Sequence, residues 1–413
     1  MGKINVCRLC GDPLKDLFLD LGISPLANSY VHSERLQQSE AMYPLKTYVC
    51  GGCFLVQIED YESPEHIFSD YAYFSSYSES WLAHSKAYVD KMMDKYKFNR
   101  NHQVIEIASN DGYLLQYFVD YNVPVLGIEP AANVAAIAEE RGVPSVVDFF
   151  GTKLASSLVN QQKGADLLLG NNVLAHVPNL NDFVAGMKIV LKPAGVITME
   201  FPHLLRLIEH VQFDTIYHEH YSYYSLQTVS KLFHKHGLTV FDVEHLPTHG
   251  GSLRIYAKHS ENEEYEVSPA VYDTLAMEHN FGITNLAQYA AFKKRAVQLK
   301  RDIVSMCISI KDRNETIVGY GAPAKGNTLL NYCGLDADYI DYTVDRSPHK
   351  QGHCLPGSRI PVFSPERIKE TKPNYVFIFP WNLKDEIISQ TAFIREWGGK
   401  WIIPVPQVII IEK

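Results

Sequence analysis

The residues of this 413-residue chain with types and spacing suited to chemistry fall into four groups. The first is a pair of CxxC knuckles, Cys7 with Cys10 and Cys50 with Cys53. Four thiolates with no histidine in the knuckles suit a closed, tetrahedral, structural zinc site. Glycines 11, 51 and 52 let the backbone turn its amides toward the sulfurs. Four unrelated buried thiols, or a redox pair, are the plainer alternatives, but packing hardly explains a doubled CxxC, so zinc is the expectation.

The second group lies in QVIEIASNDGYLLQYF, residues Gln103–Phe118. Val104–Ile107 predicts a strand, and Leu114, Leu115 and Phe118 predict a helix. Between them runs Ala108-Ser109-Asn110-Asp111-Gly112. A strand that delivers a loop onto a helix N-terminus holds a small polar ligand. Gly112 permits close backbone approach, and Asn110 or Asp111 can cap the helix. Glu106 and Asp111 repel phosphate and suit a cationic amino acid. One strand later Val125–Ile128 runs into Glu129, placed where an acid holds ribose hydroxyls. A cationic amino acid joined to a nucleoside describes S-adenosylmethionine. Phe149 and Phe150, after a third strand, could cover an adenine face or equally be core.

The third group is Tyr217-His218-Glu219-His220-Tyr221-Ser222-Tyr223-Tyr224. It lacks the HExxH spacing of a zinc protease. Two imidazoles, a carboxylate and nearby phenols can take a proton from carbon and hold the resulting enolate. A hydrogen-bonded structural cluster is the bland alternative. If the stretch is extended, Glu219 points away from the face shared by His218 and His220. His234, His236, His245 and His249 lack such company and read as structural. Tyr71, Tyr73, Tyr77 and Tyr88, dense within Phe68–Tyr96, read as packing between modules before they read as a sugar site.

The fourth is Gly319-Tyr320-Gly321-Ala322-Pro323-Ala324-Lys325-Gly326-Asn327, after a short apolar strand, with Asp345 and Arg346 ending the next. Strand, glycine loop, helix and acid imitate the dinucleotide fingerprint. No glycine follows GxG three residues on, however, and Lys325 sits inside the loop. With Arg346, His349 and Lys350 nearby, a pyrophosphate suits it better.

Elements must hold these groups, and the pattern is α/β. Strands are expected near 104–107, 125–128, 145–147, 166–169 and 196–200, alternating with helices: a doubly wound parallel sheet. A helix at 226–236 and strands at 239–243 and 253–258 follow. A long helix, 286–311, leads to strands near 316–318, 339–344, 375–379 and 401–403, with a helix over 384–396. The organisation is therefore a zinc unit over 1–70, a central unit over 71–262 and a second Rossmann-like unit over 263–413.

A net charge of -9 gives no general reason to expect nucleic acid or an anionic membrane as partner. The chain opens without an apolar signal region and holds no membrane-spanning run. An odd count of seven cysteines, four in knuckles, favours a reducing cytoplasm and metal over disulfides.

Taken together, CRLCG, PLANSY, CGGC, SDYAYFSS, IEIASNDGYLL, GIEP, NNVLAHVPN, YHEHYSYYS, THGGSLR, GYGAPAKGN and SPHKQGHCLPG resemble the sugar C-methyltransferases, over nearly the whole chain. Those are S-adenosylmethionine enzymes that methylate C3 of nucleotide-linked 4-keto-6-deoxyhexoses, here with dTDP as the expected carrier. The resemblance implies a class I methyltransferase fold in the central unit and a C-terminal Rossmann-like unit for the nucleotide sugar. It implies zinc on Cys7, Cys10, Cys50 and Cys53. Glu106, Asn110, Gly112, Glu129 and Asn171 would surround the cofactor, with Ala108 in the same loop. Tyr71, His176, Tyr217, Glu219 and His220 are similar to the family's active-site set. Tyr320, Lys325, Asn327, Arg346, His349 and Lys350 are the expected sugar-nucleotide contacts, and a monomer is slightly favoured. The expected base is His220, steadied by Glu219, with Tyr217 or His176 donating to the enolate oxygen. An NAD-dependent sugar oxidoreductase and a binding protein without turnover are the rival classes.

Overall fold

The computed structural model describes residues 6–63, 67 and 75–412. Near the N-terminus an antiparallel sheet contains β1 (Asp16–Ser24), β3 (Tyr43–Val49), whose burial alternates, and β4 (Val56–Ile58), buried throughout, with β2 (Val31–His32) outside it. Helix α1 (Glu79–Tyr96) follows, capped by the Ser78 hydroxyl, which accepts from the Trp81 amide.

Apolar runs without alternation then build a second sheet: β5 (Val104–Ile107), β6 (Val125–Ile128), β7 (Ser145–Val146), β8 (Ala165–Asn171) and β9 (Leu191–Pro202). Every residue of β5 and β6 is buried, as central parallel strands covered by helices must be. After β10 (Ser222–Tyr223) come β11 (Leu238–Leu246) and β12 (Ser252–His259). The order is β11-β12-β9-β8-β5-β6-β7, parallel from β9 to β7, with β12 antiparallel to both its neighbours.

Helix α2 (Leu286–Lys311) buries a stripe of Tyr289, Phe292, Ala296, Leu299, Ile303, Cys307 and Ile310, the spacing of one helical face. The stripe packs on the N-terminal sheet, where the Phe292 ring stacks on Phe18 at 4.7 Å. A third sheet contains β13 (Ile317–Tyr320), β14 (Thr343–Val344), β16 (Val362–Phe363), β17 (Tyr375–Ile378), β18 (Lys400–Ile403) and β19 (Ile409–Ile411). Its order is β16-β14-β13-β17-β18-β19, and β19 alone runs antiparallel.

The units are sewn together by strands. β10 adds to the N-terminal sheet by pairing Ser222 with Gln57 and Tyr223 with Val56. β15 (His353–Cys354) pairs with β2. The α/β pattern and the long helix stand where the sequence puts them. The strand expected over 339–344 shrinks to Thr343–Val344, because Tyr339 and Ile340 turn back to hydrogen-bond Asp336. The helix expected over 384–396 is regular only to Gln390 and then tightens into a 3₁₀ turn, Ala392–Trp397. No helix among the described residues is long and apolar enough to cross a membrane.

Candidate active site

The four knuckle cysteines meet at one end of the N-terminal unit. Their sulfurs all lie within 4.8 Å of one another, with Cys7 to Cys53 at 3.4 Å and Cys10 to Cys50 at 3.5 Å. Tetrahedral bonds of about 2.3 Å to zinc set sulfurs about 3.8 Å apart, so the donor set fits that ion. The Gln57 amide donates to the Cys7 sulfur at 3.2 Å, the kind of outer contact that orients a thiolate ligand.

Beyond β5 the loop compresses sharply: Ala108, Asn110 and Gly112 all adopt positive φ, 56°, 49° and 74°. Two of the three are not glycine, a strain kept where backbone must approach a ligand. Around it stand buried polar atoms with no hydrogen-bond partner of proper geometry: both oxygens of Glu106, the Ser109 hydroxyl, Asp111 Oδ1 and Asn171 Nδ2. Burial holds the Glu106 carboxyl well above the ordinary range; the nearby Tyr113 hydroxyl opposes this, and the charges of Asp111 and Glu129 add to it. Such an orphaned set wants a polar, partly cationic ligand. Glu129 accepts from the Asn110 amide at 3.0 Å and the Ala131 amide at 2.9 Å, so each oxygen keeps a lone pair for a hydroxyl. The segment after residue 74 closes over this loop: the Ser75 amide donates to Asn110 Oδ1 at 2.8 Å and the Ser76 hydroxyl to Asp111. Of the phenylalanine pair, Phe150 packs edge-on to Phe183 at 5.4 Å, while Phe149 is 38% exposed. Tyr71 and Tyr73 lie outside the described residues.

His218-Glu219-His220 is a turn, not an extended strand, and each side chain goes its own way. His218 Nε2 faces the Pro44 carbonyl at 3.1 Å and is structural. The ring of His220 lies 4.0 Å from that of Tyr217 and 4.8 Å from that of His176. The Nδ1 of His220 donates to the Thr215 carbonyl at 2.9 Å, which leaves Nε2 with the lone pair of a neutral imidazole. That carbonyl, rather than Glu219, steadies His220. The Glu219 carboxylate turns instead to Asn28, whose Nδ2 stands 2.8 and 2.7 Å from its two oxygens. His176 Nδ1 donates to the backbone carbonyl of Glu219 at 2.8 Å.

Burial governs the protonation of this chamber. It pushes His176 and His249 down to about 4, and pushes His220 well below the imidazole range with help from His176, His249 and Lys325. It pushes Glu219 up to about 7 against the pull of Asn28. At neutral pH the chamber thus offers neutral imidazoles and a half-ionised carboxyl.

His249, unremarkable in the sequence, stands in this group. Its ring bonds to Asn172 Nδ2 at 3.0 Å and meets Trp81 edge-on at 5.4 Å. The only sequence sign was THGG. Gly250, at φ 87°, has Gln212 and Trp381 where a Cβ would stand 2.6 Å from each, so the turn admits no side chain. Asn28, Asp214 and Trp381 were missed too, since nothing in their types marks them without the fold.

The glycine loop after β13 comes to the same chamber. The Lys325 ammonium donates to Asn382, lies 4.6 Å over the Trp381 ring and faces Asp214, which accepts from Trp381 Nε1 at 2.6 Å. Burial lowers Lys325 to about 8, while it lifts Asp214 to about 6 against the lysine's charge. The other expected contacts have different company. Lys350 donates to the Ala322 carbonyl at 2.8 Å, and His349 lies 3.2 Å from the Tyr77 hydroxyl. Arg346 stands 3.8 Å from Glu79 and Glu386. Asn327 Nδ2 donates to the Ala27 carbonyl, and the Tyr320 hydroxyl donates to Gln390.

Three family models match this chain: "Putative zinc binding domain" over residues 7–68, "Methyltransferase domain" over 82–243 and "C-methyltransferase C-terminal domain" over 247–406. The C-methyltransferase NovU of Streptomyces niveus is 34% identical over 412 residues, covering 99% of this chain and 97% of that protein. Among solved structures, the PH0226 protein of Pyrococcus horikoshii OT3 covers 48% of this chain and 99% of its own at 16% identity and a TM-score of 0.36. Magnesium protoporphyrin IX methyltransferase of Synechocystis PCC 6803, with bound SAM, covers 43% and 78% at 12% identity and a TM-score of 0.33. Both likenesses are too partial to carry function.

Proposed function

Because the chain belongs to the C-methyltransferase family and is an S-adenosylmethionine-dependent enzyme, we propose that it methylates C3 of a nucleotide-linked 4-keto-6-deoxy sugar, carried on dTDP. The observation that carries the reading is the His220 imidazole, neutral and tautomerically fixed by Thr215 in a chamber walled by all three units. Methylation at carbon needs a carbon nucleophile, and a C4 ketone makes the C3 proton removable. His220 Nε2 takes that proton, and the C–H electron pair becomes the C3–C4 double bond of an enolate. Tyr217 donates to the oxygen at C4, in a buried site where such a bond counts for more than in water. His176, expected to share that role, is neutral with its one proton committed to the Glu219 carbonyl and has none to give. The cofactor supplies an electrophilic methyl group on sulfonium, held near Glu106, Asn110, Gly112, Glu129 and Asn171. Lys325, expected at the pyrophosphate, lies close enough to His220 and His249 for its charge to act on both. In this reading it faces the reacting sugar, while Arg346, His349 and Lys350 meet the diphosphate. Tyr71 belongs to the proposed active-site set by resemblance, and Phe149 to the adenine side. The zinc site holds the N-terminal unit together and takes no part in the chemistry.

A second choice of base rests on one observation: Glu219, lifted to about 7, matches the working pH better than His220 does. Exchange of the C3 proton in heavy water, without methyl donor, separates the two. His220→Asn should lose about 10²–10⁴ of the exchange rate, the usual worth of a general base. Exchange at the wild-type rate in His220→Asn, with loss in Glu219→Gln, transfers the role to Glu219. Product NMR that finds the labelled methyl group on oxygen, or none transferred to any dTDP-linked 4-keto sugar, removes the proposal.

A further inference from the structure

A turn of the N-terminal unit, residues 25–30, reaches into the chamber, and both other units hold it. Asn28 donates to both oxygens of Glu219 from a single nitrogen. An ionised carboxylate only accepts, and that sets the nitrogen end of the Asn28 amide toward Glu219. The Tyr30 hydroxyl donates its one hydrogen to the Ala322 carbonyl, while Asn327 Nδ2 donates to the carbonyl of Ala27 at 2.6 Å. Lys350 stands 5.4 Å over the Tyr30 ring and donates to the same Ala322 carbonyl. The glycine loop thus grips the turn on both sides of Asn28.

We propose that Asn28 is a positioning residue for Glu219, keeping its carboxylate ionised and aimed, and tying it to the glycine loop of the C-terminal unit. An NH₂ group only donates, so it pairs with a carboxylate and sets a hydrogen against the O–H of a protonated acid. A hydrogen bond to a charged group outweighs one between neutral groups. Because Tyr30 and Ala27 are bonded to the loop that carries Lys325, whatever that loop binds is coupled to how firmly Asn28 holds Glu219. The proposal rests on the reading of Glu219 as a working group of the chamber.

The test labels glutamate at its carboxyl carbon, identifies Glu219 as the resonance lost in Glu219→Gln, and titrates the full-length protein without substrate. Asn28→Ala should raise the Glu219 midpoint by about one to two pH units, the equivalent of a hydrogen bond to a charge. In heavy-water exchange with a dTDP-linked 4-keto-6-deoxyhexose, the acid limb should rise by the same amount, so that activity lost at pH 7 returns at higher pH. Asn28→Ser, which keeps a donor, should fall between. Should Asn28→Ala not fold, Asn28→Leu keeps the volume, withdraws the donor without adding a charge and carries the same expectation. A midpoint unmoved in a folded variant, or a loss of exchange equal at every pH, overturns the role of Asn28. If Glu219→Gln leaves exchange and its acid limb untouched, the use of Glu219 in the reaction falls, and the titration still decides what Asn28 does.

Discussion

Glu200 offers the sharpest test of how the chamber is held. It lies near the end of β9 with its side chain wholly buried, and accepts from His84 at 2.9 Å, Arg254 at 2.7 Å and the Thr248 hydroxyl at 2.8 Å. Those partners come from α1, β12 and the turn that presents His249. Burial alone would lift its pKa, yet the His84 bond, the Arg254 charge and Thr248 together bring it from an ordinary 4.5 to about 2. At about 1.4 kcal/mol per unit, that drop stores about 3 kcal/mol of stability. Glu200→Gln should therefore lower the first thermal transition by about 6–12 °C, taking 2–4 °C per kcal/mol for units of this size. The sign of the pH dependence follows. A carboxylate with a depressed pKa stabilises in full above its ordinary value and loses that stability as pH falls through about 2. The gap between wild type and Glu200→Gln should stay open at neutral pH and close as pH falls from about 4.5 to about 2. Differential scanning calorimetry from pH 7 downward measures it. A drop under about 2 °C at pH 7, or a gap as wide at pH 2 as at pH 7, refutes the reasoning.

Three further outcomes are expected. Metal analysis should find about one zinc per chain, lost in Cys50→Ser; soluble, active protein without metal would defeat the structural site. Glu129→Ala should weaken S-adenosylmethionine binding by about 1–3 kcal/mol in titration calorimetry, whereas NAD binding without S-adenosylmethionine binding would favour an oxidoreductase. Lys325→Ala should raise KM for the sugar and spare cofactor affinity. Since burial sets the ammonium at about 8, the wild-type KM should climb as pH passes 8 while the variant's stays level; equal losses for both ligands would show the residue misplaced.

The central sheet was legible because its strands are continuous apolar runs, such as Val104–Ile107, and its loops end in glycine and acids. The knuckles were legible because the CxxC spacing has few other uses. The chamber was legible in part. Tyr217, His176 and His220 do come together, but the sequence left open whether His218-Glu219-His220 is extended and tied Glu219 to His220. A turn there sends three adjacent side chains to Pro44, Asn28 and Thr215, and periodicity cannot show that. His249 and Asn28 were illegible for a related reason. Each acquires its neighbours only when segments far apart in the chain meet.

The addition of β10 to the N-terminal sheet has a consequence for how the chain is made. β4 ends at Ile58, and the strand that covers its free edge begins at Ser222, about 160 residues later. At roughly 5–20 residues per second, a ribosome delivers that strand on the order of 10–30 s after the edge has emerged. For that interval the nascent protein carries an unpaired strand able to recruit another chain. The same pairing that frames His220 is therefore a timed risk during synthesis. Overproduction that crowds polysomes should turn it into inclusion bodies before the folded enzyme itself shows any weakness.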